Sequence, residues 1–229
     1  MAPASTTKIM TAILAIEKGN LEDKIKISSR AAAMPGTRMG LRPGEEQTLR
    51  DLLYGLMLSS GNDAATAIAE YVSGAEDRFA LLMTSKAREL GMKKTTFKNA
   101  SGLPAVNHYT TANDLALLAG YALKNPVFTE IVQTKVASIT NSRSNVTRSL
   151  TNHNKLLWQY PYTTGIKTGY TRRAGKCLVA SATQNDTTLI TVVLKSGTMY
   201  NDSINLFDFG FQTTLEKKIQ EITINPPVQ

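Results

Sequence analysis

Three short motifs contain the residues of this chain whose types and order are best suited to chemistry. They are Ser5-Thr-Thr-Lys8, Ser60-Gly-Asn62 and Lys167-Thr-Gly169. Together they supply a hydroxyl nucleophile, an amine that can take its proton, a second hydroxyl that can pass a proton on, and a cation for a carboxylate-bearing substrate. Each motif alone is a weak signal, but the three in this order are rare enough to indicate an active site.

The first motif pairs a serine with a lysine. Apolar residues after Lys8 recur at helical spacing, so we expect a helix from Ser5 to about Lys18, with Ser5 and Lys8 one turn apart on the same face. Lys8 can act as a base only if its amine is partly neutral, which burial and a second nearby cation, Lys167, would favour. The helix N-terminus also offers backbone N–H groups to a developing oxyanion. Taken alone, the motif more often means an ordinary helix start with a solvated lysine.

The second motif lies between two helical patterns, where side chains can point into a cleft. Ser60 could relay a proton to a leaving amine, and Asn62 could orient Lys8 and a substrate amide. A helix C-cap followed by an N-cap explains the same residues nearly as well.

The third motif falls on a predicted strand. Alternation along a strand places Lys167 and Gly169 on one face and Thr168 on the other. Gly169 would let a substrate backbone approach the strand closely. An edge strand that carries a protective lysine is the alternative interpretation.

The elements that must position these motifs change in type along the chain. Helical patterns dominate as far as Asn125-Pro126, where we expect a helix to end, and strand patterns follow from about residue 127. We expect residues 20–47 to be an irregular connection and residues 222–229 an extended tail. Predicted helices cover residues 5–18, 49–57, 64–68, 79–90, 111–122 and 203–211, and predicted strands cover 166–171, 178–183 and 188–194.

Composition places the chain among ordinary globular proteins. With 229 residues, of which 42% are hydrophobic and 19% charged, it can bury a sizeable core. The net charge of +8 is scattered along the chain, so we expect no nucleic-acid binding, whereas an anionic cell-wall surface or a simple solvated excess of charge fits it. No stretch is long enough to span a bilayer, and the apolar octet at residues 9–16 is interpreted as part of a core helix.

Cysteine and histidine usage restricts the chemistry further. The single cysteine, Cys177, can form no internal disulfide and is expected to be a buried structural thiol. The only histidines are His108 and His153, so a Ser-His-Asp triad or a His-rich metal site is poorly supported. We interpret His108 as a structural loop residue and His153 as part of a surface turn, and we expect neither a metal nor a cofactor.

The chain resembles the low-molecular-mass penicillin-binding proteins, serine-type D-alanyl-D-alanine carboxypeptidases of the β-lactamase/transpeptidase-like superfamily. The resemblance runs from about residue 3 to residue 211 and extends well beyond the three motifs. It implies an α/β (α+β) fold in which an antiparallel sheet packs against a helical cluster. The segments that carry it are residues 3–12, 41–44, 59–65, 99–103, 107–112, 152–158, 165–170 and 178–183.

The resemblance also implies an acyl-enzyme route on peptidoglycan pentapeptides. Ser5 would attack the penultimate D-alanine carbonyl with Lys8 as base, and Ser60 would pass the proton on. The terminal carboxylate would bind Lys167 and Thr168, the oxyanion would bind backbone N–H groups of Ser5 and Tyr170, and β-lactam antibiotics would acylate Ser5. The implied catalytic residues are Ser5, Lys8, Ser60, Asn62 and Lys167, and the implied substrate-binding residues are Thr168, Gly169, Tyr170 and His153.

Departures from the family pattern lead to further expectations. His153 stands where some relatives carry Arg in an Asn-x-Asn segment, so carboxylate binding is expected to depend more on Lys167 and Thr168.

We expect a truncated chain, with a catalytic domain at residues 1–212 and a tail or the start of a further domain at 213–229. It would lack the strand pair that precedes the first motif, and residues 188–194 would then form a strand with an open edge. Location would be extracytoplasmic, with membrane anchoring only through segments absent from this chain.

Two other functions remain open on the sequence alone. A class A β-lactamase has the same motif order, and the motif spacings do not exclude it. That enzyme needs a glutamate to activate the deacylating water, and no glutamate lies between Glu89 and Glu130. A truncated chain with a misplaced Ser5 could also bind wall peptide without cleaving it.

Overall fold

The computed structural model describes residues 1–141 and 146–224, with side chains described through residue 217. A 3₁₀ turn at Ala4–Thr7 leads directly into the first α-helix. The helices are α1 (Lys8–Lys18), α2 (Ser29–Ala32), α3 (Leu49–Met57), α4 (Asn62–Ser73), α5 (Glu76–Glu89), α6 (Ala112–Ala122), α7 (Pro126–Gln133), α8 (Leu156–Gln159) and α9 (Met199–Ile224).

Seven strands form three antiparallel sheets among the described residues. The main sheet has the order β5-β6-β7, and each of the two smaller sheets is a single pair, β1 with β2 and β3 with β4. The strands are β1 (Lys24–Lys26), β2 (Glu46–Thr48), β3 (Val136–Thr140), β4 (Thr147–Thr151), β5 (Thr163–Thr171), β6 (Gly175–Gln184) and β7 (Thr187–Ser196).

Helix α1 lies at the centre of the helical cluster. It contacts α3, α4, α5, α6 and α7, and all its residues from Lys8 to Ala15 are buried. The largest apolar cluster surrounds α1 and reaches Val179 of β6. On the other side of the sheet, Phe207 of α9 shares a second buried cluster with Leu178. Because β5 also contacts the 3₁₀ turn, the first motif is held between the helical cluster and the sheet.

Side-chain caps explain where two of the helices begin. Thr48 Oγ1 accepts a hydrogen bond from the backbone N–H of Asp51 at 3.1 Å, and Thr111 Oγ1 accepts one from Asp114 at 3.1 Å. A hydroxyl at the N-cap satisfies a backbone donor that the first helical turn leaves unpaired. Gly91, whose φ is +77°, follows the end of α5, where a left-handed conformation favours glycine.

The predicted fold class, an α/β (α+β) arrangement of helical cluster and antiparallel sheet, is confirmed. The three predicted strands correspond to β5, β6 and β7, and Cys177 is fully buried.

Within residues 1–141 and 146–224, β6 is the only strand that pairs with residues 188–194, so the other edge of this stretch is open there, as predicted. In the same part of the chain, no helix combines the length and the apolar character that a membrane crossing requires.

The change from helices to strands is misplaced in the sequence prediction. Pro126 begins α7 instead of marking the end of the helical part. Asn125 Oδ1 caps this helix by accepting from the N–H groups of Val127 and Phe128 at 3.0 and 3.2 Å. Proline suits the first helical position, because the N–H that it lacks has no partner there.

Other boundaries also differ from the prediction. Residues 20–47, expected to be irregular, contain β1, α2 and β2, and Ser5 lies in a 3₁₀ turn before α1. The helix predicted at 203–211 is part of the longer α9, so residues 222–224 are not extended, and 225–229 lie outside the described residues. The domain boundary predicted after residue 212 falls within α9 and stays a prediction.

Candidate active site

The amine of Lys8 lies at the centre of the candidate site. Its Nζ is 3.1 Å from Ser5 Oγ, 2.7 Å from Asn62 Oδ1 and 2.7 Å from the backbone oxygen of Ser101. The lysine side chain is 0% exposed, because it extends from the central helix α1 into the junction between α4 and the loop that carries Ser101. The structure thus brings together the first and second motifs, as the sequence predicts.

The orientation of the Asn62 amide is determined by the loop opposite the start of α4. Asn62 Nδ2 donates to the backbone oxygen of Pro35 at 2.7 Å, and the Asn62 backbone N–H donates to Thr37 O at 2.7 Å. Because the NH₂ group faces a carbonyl, the amide oxygen must face Lys8. Asn62 is therefore an acceptor for the lysine, not a donor.

The next residue, Asp63, holds the same loop in place. Its buried carboxylate accepts hydrogen bonds from the backbone N–H groups of Met39, Gly40 and Leu41 at 3.0, 2.9 and 3.0 Å. A carboxylate that accepts several backbone donors is a strong local constraint. The loop that orients Asn62 is thereby fixed to the helix that carries it.

Lys167 is the second buried amine near this site. It lies on β5, is 1% exposed, and donates to the backbone oxygen of its neighbour Thr168 at 3.1 Å. Burial lowers the pKa of Lys167 to about 7, since an ammonium loses hydration in a low-dielectric interior.

The positive charge of Lys167 affects the protonation of Lys8. Burial and the positive charge of Lys167 lower the pKa of Lys8 well below its ordinary value, against an opposing contribution from the carboxylate of Asp63. Relative to a solvated lysine, the neutral form of Lys8 is therefore favoured. This is the partly neutral amine that the first motif requires.

Gly169 brings the sheet close to the nucleophile. A Cβ at this position would lie 2.9 Å from the backbone nitrogen of Ser5 and 3.1 Å from that of Thr6, so only glycine allows β5 to pack against the 3₁₀ turn. The sequence predicts a close approach here, but of a substrate, whereas the structure shows the approach of Ser5 itself. Thr168 is half-buried beside it, and Tyr170 is 66% exposed.

His153 is exposed and lies in a tightly fixed turn. Partial desolvation, with the positive charges of Lys167 and Lys8, lowers its pKa. Its backbone N–H donates to Leu58 O at 3.1 Å, and the hydroxyl of Tyr200 donates to its backbone oxygen at 3.0 Å. The imidazole therefore lies within the electrostatic range of both buried amines.

Ser60 follows α3 in a left-handed backbone conformation. Its φ is +58°, and it is 5% exposed. Its side chain makes no hydrogen bond to the described residues, in contrast to Asn62 two positions later. A hydroxyl with unused hydrogen-bonding capacity is available to a bound substrate.

Two supporting contacts are not predicted from the sequence. One is the Ser101 carbonyl: Asn99 Oδ1 accepts from Gly102 N at 2.7 Å and shapes this loop. A Cβ on Gly102 would lie 1.8 Å from Ala4 O. The only sequence signal for this contact is the family resemblance of residues 99–103, because a backbone carbonyl has no side-chain signature.

The other contact involves His108, which is buried behind the first motif. Its Nδ1 accepts from the N–H of Lys98 at 3.3 Å, so the neutral ring carries its proton on Nε2 and donates it to Thr7 Oγ1 at 3.0 Å. Burial, with the nearby charge of Lys98, lowers the pKa of His108 to about 4. The histidine is therefore neutral at pH 7 and has the structural role that the sequence indicates.

The described residues contain no group of three or more His, Cys, Asp or Glu that could hold a metal ion. What they contain is a serine hydroxyl facing a buried amine, with a second buried amine on the adjoining strand. That is the arrangement of a serine acyl-transfer site with a lysine base.

Comparison with known proteins agrees with the assignment of a serine acyl-transfer site. The model of the peptidase S11 family, D-alanyl-D-alanine carboxypeptidase, matches residues 1–198. The chain is 42% identical over 221 residues to the D-alanyl-D-alanine carboxypeptidase DacF of Bacillus subtilis. The aligned region covers 92% of this chain and 56% of that protein. The chain is 40% identical over 225 residues to DacC of Escherichia coli, with 92% and 55% covered. The chain thus spans about half the length of these curated relatives.

Solved structures agree with the family match. The DD-transpeptidase of Streptomyces K15 has a TM-score of 0.87 at 33% identity, covering 92% of this chain and 88% of that one. An evolved penicillin-binding protein homolog from Mycobacterium tuberculosis has a TM-score of 0.87 at 31% identity, covering 92% and 82%. This chain belongs to the peptidase S11 family of D-alanyl-D-alanine carboxypeptidases, as the sequence resemblance indicates.

The contact between Gly169 and the 3₁₀ turn can be tested by a single methyl group. Gly169→Ala should push β5 away from Ser5 and slow the labelling of Ser5 by a fluorescent penicillin by about 100-fold, the usual effect of a misplacement near 1 Å. Gly197→Ala is the matched control, because a Cβ there meets nothing within 4 Å. Equal labelling rates in the two variants would contradict the packing role given to Gly169.

Proposed function

We propose that this chain is the catalytic part of a serine D-alanyl-D-alanine carboxypeptidase that trims peptidoglycan stem peptides through an acyl-enzyme. The observation that carries the proposal is the set of contacts around the Lys8 amine: two carbonyl oxygens at 2.7 Å and the Ser5 hydroxyl at 3.1 Å. Membership of the S11 family supports the same reaction class.

The direction of proton transfer follows from these contacts. A neutral amine has two N–H bonds and one lone pair, and a carbonyl oxygen can only accept a hydrogen bond. Asn62 Oδ1 and Ser101 O therefore take the two N–H groups, and the lone pair is directed at the Ser5 hydroxyl. Lys8 is positioned to remove the Ser5 proton as Oγ attacks a carbonyl carbon.

The backbone near Ser5 offers a place for the oxyanion. In the proposed mechanism, attack on the penultimate D-alanine carbonyl forms a C–O bond, and the developing charge is bound by the N–H groups of Ser5 and Tyr170. The close packing of Gly169 against Ser5 brings these two segments together. The C–N bond then breaks, and Ser60 passes a proton to the leaving D-alanine amine. A water molecule hydrolyses the acyl-enzyme and releases the shortened peptide.

The terminal carboxylate of the substrate would bind on β5. In this proposal, Lys167 supplies the positive charge, the Thr168 hydroxyl donates a hydrogen bond, and Gly169 keeps the strand accessible. A bound carboxylate would raise the pKa of Lys167 and of His153, since an opposite charge favours the protonated forms. His153 lies at the exposed side of the site and would add a second contact to the same group.

Partners and location follow from this substrate. Peptidoglycan pentapeptides would be the natural substrates and β-lactam antibiotics the covalent inhibitors, because a β-lactam presents a strained amide and a carboxylate to the same groups. A wall peptide is encountered outside the cytoplasmic membrane, so we propose an extracytoplasmic location. Neither a metal nor a cofactor enters any step of this mechanism.

Rapid β-lactam hydrolysis is disfavoured by the hydrogen bonds of the site. In the described residues, neither Ser5 nor Lys8 hydrogen-bonds to a carboxylate, and Asp63 is engaged by backbone N–H groups. A class A β-lactamase needs a glutamate to activate the deacylating water. A binding-only role is disfavoured as well, because Ser5 lies within hydrogen-bond distance of Lys8.

The proposal predicts a stable covalent adduct. Mass spectrometry after exposure to benzylpenicillin should show one penicilloyl group on the peptide that contains Ser5, because no carboxylate hydrogen-bonds to Ser5 or Lys8 in the described residues to hydrolyse the penicilloyl ester as a class A β-lactamase does. Ser5→Ala should show no adduct, while Ser138→Ala, which alters an exposed serine on β3, should label like the wild type. An unlabelled wild-type chain would exclude the acyl-enzyme mechanism, and rapid turnover of the adduct would favour a β-lactamase.

The two buried lysines predict the pH dependence of acylation. The second-order rate constant should rise as Lys8 loses its proton and fall above pH about 7, by about tenfold per pH unit, as free Lys167 loses the charge that binds the carboxylate.

A substitution separates the two limbs of this profile. Lys167→Arg should move the alkaline limb above pH 10, since a guanidinium stays charged there. The control Lys176→Arg, an exposed residue on β6, should leave the profile unchanged. An alkaline limb that stays in place in Lys167→Arg would show that another group causes it.

A further inference from the structure

A buried ion pair lies on the far side of the loop that orients Asn62. Arg148 of β4 donates from Nη1 to Glu45 Oε1 at 2.6 Å and from Nη2 to Glu45 Oε2 at 2.7 Å. The two side chains are only 8% and 7% exposed. Burying two charges is favourable only when the geometry is good and further hydrogen bonds satisfy the groups, so the remaining partners of Arg148 matter.

Those remaining partners connect the ion pair to the loop. Arg148 Nε and Nη2 both donate to the backbone oxygen of Gly40, at 3.2 and 2.7 Å. The N–H of Gly40 donates in turn to Asp63 Oδ2 at 2.9 Å. Gly40 is therefore held from one side by the guanidinium and from the other by the carboxylate at the start of α4.

The same loop carries the two carbonyls that orient Asn62. Pro35 O accepts from the Asn62 side-chain amide, and Thr37 O accepts from its backbone N–H. A continuous series of hydrogen bonds and short backbone links thus joins Arg148 to Gly40, Gly40 to the Pro35 carbonyl, and that carbonyl to Asn62 and Lys8.

The orientation of the Asn62 amide decides where the lone pair of Lys8 points. In the present orientation Lys8 Nζ donates to Asn62 Oδ1 at 2.7 Å, and its lone pair faces Ser5. If the loop shifted and the amide turned over, its NH₂ group would face the amine. The lone pair would then accept from Asn62, and Ser5 would lose its base.

We infer that Arg148 is a positioning residue for acylation. Its guanidinium group holds the loop at residues 35–45 in place, and this loop keeps the Asn62 amide in the orientation that directs the Lys8 lone pair at Ser5. Arg148 itself does not contact the substrate. The inference rests on the proposed function only in taking Lys8 as the base for Ser5. Arginine is required because its planar fork can bind both oxygens of Glu45 and the Gly40 carbonyl at once, which one ammonium group cannot do.

The first test is Arg148→Lys, which keeps a positive charge beside Glu45 but loses the contact with Gly40. Hydrogen exchange should show the amides of residues 39–41, which donate to Asp63, exchanging about tenfold or more faster than in the wild type. Acylation by a fluorescent penicillin should fall by about tenfold or more, while reversible binding of an unreactive D-Ala-D-Ala peptide changes less than about threefold. The acid limb of the acylation profile should move to lower pH, because a donor facing Lys8 favours its neutral form.

A second variant distinguishes a loss of loop positioning from unfolding of the protein. Arg148→Met combined with Glu45→Gln leaves no unpaired buried charge, so the fold should persist, and it should show the same loss of amide protection and the same slower acylation. Arg50→Lys is the matched control: it alters a solvent-exposed ion pair, to Glu22 at 3.4 Å, and should change neither measurement.

Two outcomes would overturn the inference. One is unchanged protection of residues 39–41 in both Arg148 variants. The other is faster exchange there with a wild-type acylation rate and pH profile in the folded protein, which would make the ion pair a structural contact only. Failure of the proposed function is a separate result, since it would appear as an unlabelled wild-type chain whatever the Arg148 variants do.

Discussion

The site depends on one buried amine. Lys8 is fully buried, and a charged ammonium in that position would lose most of its hydration, so burial and the nearby Lys167 favour the neutral form. Two carbonyl oxygens compensate by accepting the two N–H bonds of that form. What remains is a lone pair directed at a serine hydroxyl. The same constraint favours the unprotonated amine, which can accept a proton, and selects its target.

The rest of the fold can be understood as the support for this amine. Helix α1 carries it from the centre of the core, α4 supplies Asn62, and β5 is packed against the 3₁₀ turn because Gly169 has no side chain. The carbonyl partners belong to loops, and each loop has its own constraint: the Asp63 carboxylate and Arg148 for one, the Asn99 side chain and Gly102 for the other. Loops that present backbone oxygens at fixed positions need such constraints, since little else limits their motion.

Much of this arrangement can be predicted from the sequence, and the reasons for the rest are physical. The contact of Lys8 with Ser5 and Asn62, and the lowering of its pKa by burial and by Lys167, follow from residue types in motifs. The Ser101 carbonyl does not, because every residue has one and only the fold selects it. The sequence predicts a helix end at Asn125-Pro126 because the residue before a proline disfavours helical geometry, yet the Asn125 cap makes Pro126 a helix start. Arg148 and Glu45 carry no local signal, since their pairing joins segments about a hundred positions apart.

The central claim is that Lys8 is neutral at the pH at which Ser5 reacts, and a direct titration of its amine tests this. Nuclear magnetic resonance of the lysine side chains, with the Lys8 signal assigned by its loss in Lys8→Met, measures the charge of Nζ against pH. The account predicts that Lys8 titrates well below the ordinary lysine pKa, and that Lys167 titrates near pH 7. A Lys8 amine that keeps its proton up to about pH 10, as a solvated lysine does, would contradict the account.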